Sequence, residues 1–299
     1  MRVRTPGKVT ENLWLLGTEE SCVYVLRGKE SSAIISAGLS YILPGFLRQL
    51  QEFGIVENRI AHIIILHSHF DHVGIVPYLK RTWPHLNVYA SFRAWQVLSK
   101  LKSISIIKDY TLKVAARRLY SPEIMAALDW EWRDDVSGQT LSDESAIDLG
   151  GVQIKIYETP GHSSCSISAY IPQLQVLFTS DAVAIPYRDE YIIAAASNMN
   201  QYKQSLDKMN KLKVKILAAD HYGYISGEEA ALYIEKSKQA SFQMENTLIA
   251  ALRQEGSVEK AAKKLVQQHF HLRPDYFIAP EILLGTYSQM LKQYAQPSD

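Results

Sequence analysis

Ile63-Ile64-Ile65-Leu66-His67-Ser68-His69-Phe70-Asp71-His72 is the stretch that decides how this chain is read. The four apolar residues read as a buried strand. The six that follow carry four side chains of the metal-ligand type. A strand ending in H-x-H-x-D-H puts several imidazoles and a carboxylate on one tight loop, which suits a pair of divalent metals better than a structural role. Three more residues extend the set in chain order: His162 in Thr159-Pro160-Gly161-His162, Asp181 in Thr179-Ser180-Asp181, and His221 in Ala219-Asp220-His221. Each follows a short apolar segment that reads as a strand. Five of the nine histidines thus fall into one pattern. A single histidine after a strand is ordinarily a surface or capped residue, but a cluster with three ordered partners downstream is the pattern of a catalytic metal site.

Zinc or iron at neutral pH takes imidazole nitrogen and carboxylate oxygen, and manganese accepts the same donors. His67 and His69 lie two apart, so their rings share one side of an extended loop, and Asp71 and His72 can turn to a second position. The expected partition is His67, His69 and His162 on one metal and Asp71, His72 and His221 on the other. Asp181 is the expected bridge, with the two cations roughly 3.5–4 Å apart. Such a pair lowers the pKa of a bridging water, and the hydroxide attacks a carbonyl or phosphorus centre while the metals hold the oxyanion. Asp71 is expected to orient that hydroxide as well as to bind metal.

Composition limits the alternatives. The chain has 299 residues, 47% hydrophobic and 21% charged, with a formal net charge of +1. This is ordinary soluble material with a sizeable core, and it gives no general pull toward nucleic acid or an anionic membrane. Two cysteines, Cys22 and Cys165, make no disulfide framework. No apolar run is long enough to span a bilayer, and Met1 to Pro6 lacks the apolar core of an export signal, so the cytoplasm is the expected location.

Short strands are expected at Leu13–Leu16, Cys22–Leu26 and Ala33–Ile35, a helix over 43–53, the strand ending at Leu66, a helix over Val73–Trp83 and a strand at Val88–Ala90. Residues 91–133 read as strongly helical. Strands return at Ser145–Leu149, Val152–Tyr157, Ser166–Ile171 and Val176–Thr179, and a helix near 201–212 leads to a strand at Val214–Leu217. After Gly227 the texture changes to three helical segments, at about 228–254, 257–269 and 281–295, with Pro274 and Pro280 between the last two. The expected organisation is an α/β body, 1–226, and a helical C-terminal extension, 227–299, that covers the site.

The order H-x-H-x-D-H, T-P-G-H, S-D, D-H resembles the metallo-β-lactamase superfamily of hydrolases over about residues 10–225. The resemblance implies an αββα sandwich with the site at one edge between two sheets. Two departures stand out. Many members carry an Asp near Ser36-Ala37-Gly38, where this chain has none, so support of the ligands is expected to differ. Lactonase members often place a Tyr soon after the bridging Asp, and here Ala182-Val183-Ala184 follows. Redox relatives have Glu at the position of His69, so hydrolysis is favoured. β-Lactamases are usually secreted, and nuclease members are usually basic.

The tail, Asp275-Tyr276-Phe277 and Pro280-Glu281-Ile282-Leu283-Leu284-Gly285, resembles a narrower group, the thioesterase-like quinolone-signal response proteins. That likeness implies cleavage of an acyl-CoA thioester or a carboxylic ester of a small molecule under a helical cover, and a second role in binding a transcription regulator. A homodimer stays open as well. A pocket Glu of that group falls at Ile185 here, so substrate recognition is expected to differ. The alternatives are a phosphodiesterase and a signalling protein acting mainly through its surface. Lys113, Arg117 and Arg118 suit either phosphate contact or a solvated helix face. Cys165 suits a small buried residue better than a reactive thiol. His62, His85, His269 and His271 have no ligand context. Tyr187, Phe270, Tyr276, Phe277 and Tyr287 suit either a pocket wall or helix packing.

Overall fold

The computed structural model describes residues 1–295; the last four residues of the expected 227–299 extension lie outside the described residues. The chain opens with β1 (Arg2–Val3), β2 (Gly7–Thr10), β3 (Leu13–Thr18), β4 (Ser21–Arg27) and β5 (Ser32–Ile35). Then come α1 (Leu43–Glu52), β6 (Ile60–Ile64), α2 (Val76–Thr82), β7 (Asn87–Ser91), α3 (Phe92–Leu98), α4 (Leu101–Arg117), α5 (Pro122–Ala126) and β8 (Gln139–Leu141). The second half holds β9 (Ala146–Asp148), β10 (Gln153–Glu158), β11 (Ile167–Ile171), β12 (Val176–Phe178), α6 (Met199–Met209), β13 (Ile216–Ala218) and β14 (Tyr224–Ser226). Three helices follow: α7 (Glu228–Glu255), α8 (Val258–Leu272) and α9 (Pro280–Lys292).

The strands form two seven-stranded sheets, ordered β2-β3-β4-β5-β6-β7-β8 and β1-β14-β13-β12-β11-β10-β9. In the first, β5 to β8 run parallel, because helices cross over between them. In the second, β12 and β13 are parallel and are joined through α6. Strand alternation explains the layering. Leu13, Leu15, Tyr24, Leu26, Ala33 and Ile35 point into one core, together with Ile154, Ile156, Ile167, Ala169 and Phe178 of the other sheet. Their neighbours Trp14, Leu16, Val23, Val25 and Ile34 point outward onto Phe46 and Leu50 of α1. The result is the αββα sandwich with C-terminal helices. Tyr24 and Phe178 meet edge-to-face across the sheets at 5.3 Å.

Two local expectations are corrected. Residues 91–133 are helical only as far as Ala126, in α3, α4 and α5, and Ala127 to Gly138 is irregular. Arg81 explains the irregular part, since its guanidinium takes the carbonyls of Asp129 and Glu131 and the carboxylates of Asp129 and Asp135. The helix expected from Val73 starts at Val76, because the backbone of residues 72–75 bonds to residues 37 and 38 instead (Ala37 N to His72 O, Gly74 N to Gly38 O, Ile75 N to Ala37 O). Four short strands, β1, β2, β8 and β14, carry too few residues for a periodic signal; β1 pairs with β14 and so ties the N-terminus to the second sheet.

Candidate metal centre

Four loops meet at one edge of the sandwich. The antiparallel steps from β10 to β12 and the parallel pair β12–β13 make β10, β12 and β13 run in one direction. Their C-terminal ends therefore share an edge, and they carry His162, Asp181 and His221. The loop after β6 brings His67 to His72 to the same edge from the other sheet, fastened by a backbone bond from Ile167 N to Leu66 O of 2.8 Å. Gly161, just before His162, is required: its φ is +137°, and a Cβ there would meet the Tyr202 backbone at 2.3 Å. Ser180, just before Asp181, sits in the left-handed region at φ +48°, strain of the kind that clusters at functional sites.

All seven predicted side chains converge. His67, His69 and His162 form one set of facing donors, Asp71, His72 and His221 a second, and His67, His72 and Asp181 a third between them. His162 Nε2 lies 3.2 Å from His67 Nε2 and 2.9 Å from His69 Nδ1, and His221 Nε2 lies 3.2 Å from His72 Nε2. One oxygen of Asp181 is 3.4 Å from both His72 Nε2 and His162 Nε2, and the other is 3.5 Å from His221 Nε2. Asp71 reaches His72 and His221 at 3.6 Å each.

The outward nitrogens are held in place. His162 Nδ1 donates to Ala194 O and His221 Nδ1 donates to Glu20 O, both at 2.6 Å. His72 Nδ1 bonds to Asp220 at 2.8 Å and His67 Nδ1 to the Ser180 hydroxyl at 2.9 Å. Ser36 and Ser180 both donate to the same Asp220 oxygen, at 2.7 and 2.6 Å. With its outer nitrogen engaged, each of these rings turns its other nitrogen inward, as a metal-ligating histidine does.

Electrostatics fit a cation. Burial, reinforced by neighbouring imidazoles, holds His67 well below its ordinary range and His69 down to about 3, so both are neutral donors. Burial also lowers His162. At His72 burial opposes charge, but Asp71 and Asp181 outweigh it and raise the group well above its ordinary value. Burial disfavours charge on Asp181 too, yet the surrounding histidines hold its carboxylate ionised. The buried Asp181 Oδ1 has no hydrogen-bond partner. Facing ring nitrogens, two buried carboxylates that favour positive charge at His72, and an unpartnered oxygen are what a divalent metal satisfies.

The cluster forms one end of a cavity of about 460 Å³. Ile106, Ile107 and Tyr110 of α4 and Ile282, Leu283 and Gly285 of α9 line its other side. Tyr276 and Phe277, from the link between α8 and α9, close it over the cluster, with the Phe277 ring 4.8 Å from that of His221.

A family model described as the metallo-beta-lactamase superfamily matches residues 17–221. The chain belongs to this superfamily. A metallo-beta-lactamase fold-containing protein, ST1585, of Sulfurisphaera tokodaii is 24% identical over 70% of this chain and 75% of that protein. The human acyl-coenzyme A thioesterase MBLAC2 is 24% identical over 54% of this chain and 57% of that protein. Among solved structures, a metallo-beta-lactamase family protein of Thermus thermophilus, TTHA1429, superposes with a TM-score of 0.69 at 18% identity, covering 96% of this chain and 94% of that one.

Membership places the chain among metal-binding hydrolases. In this superfamily member the carboxylate looked for near Ser36 comes from Asp220 instead. Asp220 directly precedes His221 in the chain, and that adjacency was the available signal for its support of His72. The carbonyls of Glu20 and Ala194 had no signal, since any residue supplies one. Of the five aromatic residues considered for the pocket, Tyr276 and Phe277 line it, and Tyr187, Phe270 and Tyr287 do not. Lys113 is exposed and paired with Asp109, as on a solvated face; Arg117 donates to Tyr276 O and Arg118 pairs with Glu20. Cys165 is buried, with Ser68 and Ser163 hydroxyls 3.3 and 3.2 Å from its sulfur. His269, without ligand context in the sequence, is buried against Tyr276 and Tyr287. Among the described residues, no helix is long and apolar enough to cross a membrane.

Proposed function

We infer that this superfamily member is a dinuclear metal-dependent thioesterase acting on acyl-CoA-type substrates. The observation that carries the reading is the pairing of seven nitrogen and oxygen donors with an otherwise uncharged cavity. Among the described residues, none lining the cavity is Lys, Arg or Glu. An acyl group fits such walls, whereas a phosphodiester would leave its charge to the cluster alone. The relative named an acyl-coenzyme A thioesterase supports the same bond.

His67, His69 and His162 would hold one metal, Asp71, His72 and His221 the second, and Asp181 would lie between them. Zinc, iron and manganese all suit these donors. Two bound cations supply a nucleophile from water at neutral pH and positive charge for the developing oxyanion. The rest is done by the chain. Asp71, at the cavity wall, orients the attacking water through a carboxylate oxygen. Phe277 and Tyr276 keep bulk solvent from the reacting carbonyl, which strengthens every charge interaction there. A thiol of pKa about 8.5 leaves as thiolate without a strong acid, so a site with no Lys or Glu on its walls suits a thioester better than an alcohol ester.

The test is a panel of acyl-CoA, lactone and phosphodiester compounds offered to the metal-loaded protein. Acyl-CoA turnover is expected to exceed the others; turnover confined to phosphodiesters defeats the reading.

A further inference from the structure

We propose that the space lined by α4 and α9 is an acyl chamber for apolar acyl groups, and that the room left by Gly285 sets the chain length it takes. This rests on the thioesterase reading and names the acyl group that the site takes. Ile106, Ile107 and Tyr110 of α4 and Ile282, Leu283 and Gly285 of α9 line the cavity together. On α9, Ile282, Gly285, Thr286 and Gln289 follow helical spacing and line it together.

Gly285 lies inside a helix, where glycine costs stability relative to alanine. Its backbone does not require glycine, because its φ is outside the left-handed region. Close packing does not require it either. A Cβ there would find its nearest atom, the Tyr110 hydroxyl oxygen, 4.0 Å away, in contrast to the 2.3 Å backbone approach at Gly161. Beyond that contact a Cβ meets nothing within 4 Å, so the missing side chain leaves free volume on the chamber wall beside Tyr110. The whole cavity, at about 460 Å³, lies within the roughly 300–1,000 Å³ range of small-molecule pockets and has room for an acyl chain.

The experiment compares metal-loaded wild type and Gly285→Leu on butanoyl-, octanoyl- and hexadecanoyl-CoA. Wild type is expected to favour octanoyl-CoA over butanoyl-CoA. The leucine removes room for several methylenes, so the octanoyl-to-butanoyl ratio of kcat/KM should fall at least about tenfold, through KM. The melting temperature should not fall, since leucine is the better helix former. Gly285→Ala should lower the same ratio less, and carries the test if the leucine variant does not fold. Calorimetric binding of octanoate, which needs no turnover, should weaken at least about tenfold in Gly285→Leu. A ratio that does not change, or a wild-type preference for butanoyl-CoA over octanoyl-CoA, overturns the proposal. If no thioester is cleaved but the variant still binds octanoate more weakly, the thioesterase reading falls and the chamber stands. Equal octanoate binding by both proteins overturns the chamber itself.

Discussion

On one side of the cavity, donor side chains stand on loops at strand ends, and four inward-facing histidines are each held by an outer hydrogen bond. On the other side, α4 and α9 present aliphatic and aromatic side chains, with a glycine where a larger residue would fit. The first wall is fixed by directional bonds to backbone and buried carboxylate, and it tolerates little displacement. The second is fixed by packing, whose energy depends on volume and not on direction. Chemistry and selectivity are thus carried by different physical forces, and each wall is expected to fail in its own way.

The largest effect is expected on the donor wall. Asp181→Asn removes the buried negative charge that faces His72, His162 and His221. Elemental analysis should find less metal per chain, and hydrolysis should fall on the order of 10²–10³-fold with loss of oxyanion stabilisation. Octanoate affinity arising from the helical wall should change far less. A variant with full metal content and unchanged turnover would remove Asp181 from the centre and erase the contrast between the walls.

A smaller effect sharpens the comparison one shell further out. Asp220 touches nothing in the cavity; it gathers Ser36, Ser180 and His72 on one oxygen. Asp220→Asn is expected to weaken metal affinity about 10–100-fold, read by competition with a chelator, while the acyl-length preference stays put. If that preference shifts instead, the walls are coupled and their separation fails.

The same divide governs what the amino-acid sequence disclosed. Chain order and residue type alone named the seven side chains that converge, because metal ligation draws on few side chains and gathers them after strands. The strand pattern was legible where apolar residues run together between turn residues, as from Leu13 to Leu16. Support of the histidines was less legible: Glu20 and Ala194 act through carbonyls, and Ser36 and Asp220 meet only because two distant strand ends share an edge. The helical wall was the hardest to read. Ile106, Ile107 and Tyr110 look like any apolar helix face, and which of them borders empty space depends on where α9 packs. The irregular stretch from Ala127 escaped for a related reason, since Arg81 draws it away from a helix from about fifty residues upstream.

The smallest expected effect belongs to the helical cover. His269 in α8 is buried, with the Tyr276 ring 4.7 Å away and the Tyr287 hydroxyl 3.2 Å from its Nδ1, while its Nε2 has no partner. Burial, aided by the positive charge of Arg273, pushes the imidazole from 6.5 down to about 4. Between these values the unfolded chain binds a proton that the folded chain refuses, so stability falls as the pH drops through this window and levels off below it. His269→Gln removes the titrating group and should flatten that part of the profile, with a difference in melting temperature of roughly a few degrees at pH near 4 and none due to titration above 7. Both proteins carry the same metal-site histidines, so acid effects on the donor wall cancel in the subtraction. Parallel melting profiles for the two proteins from pH 7 to 4 would show that His269 does not couple the cover to acid, and Tyr276 would then keep its place over the site by packing alone.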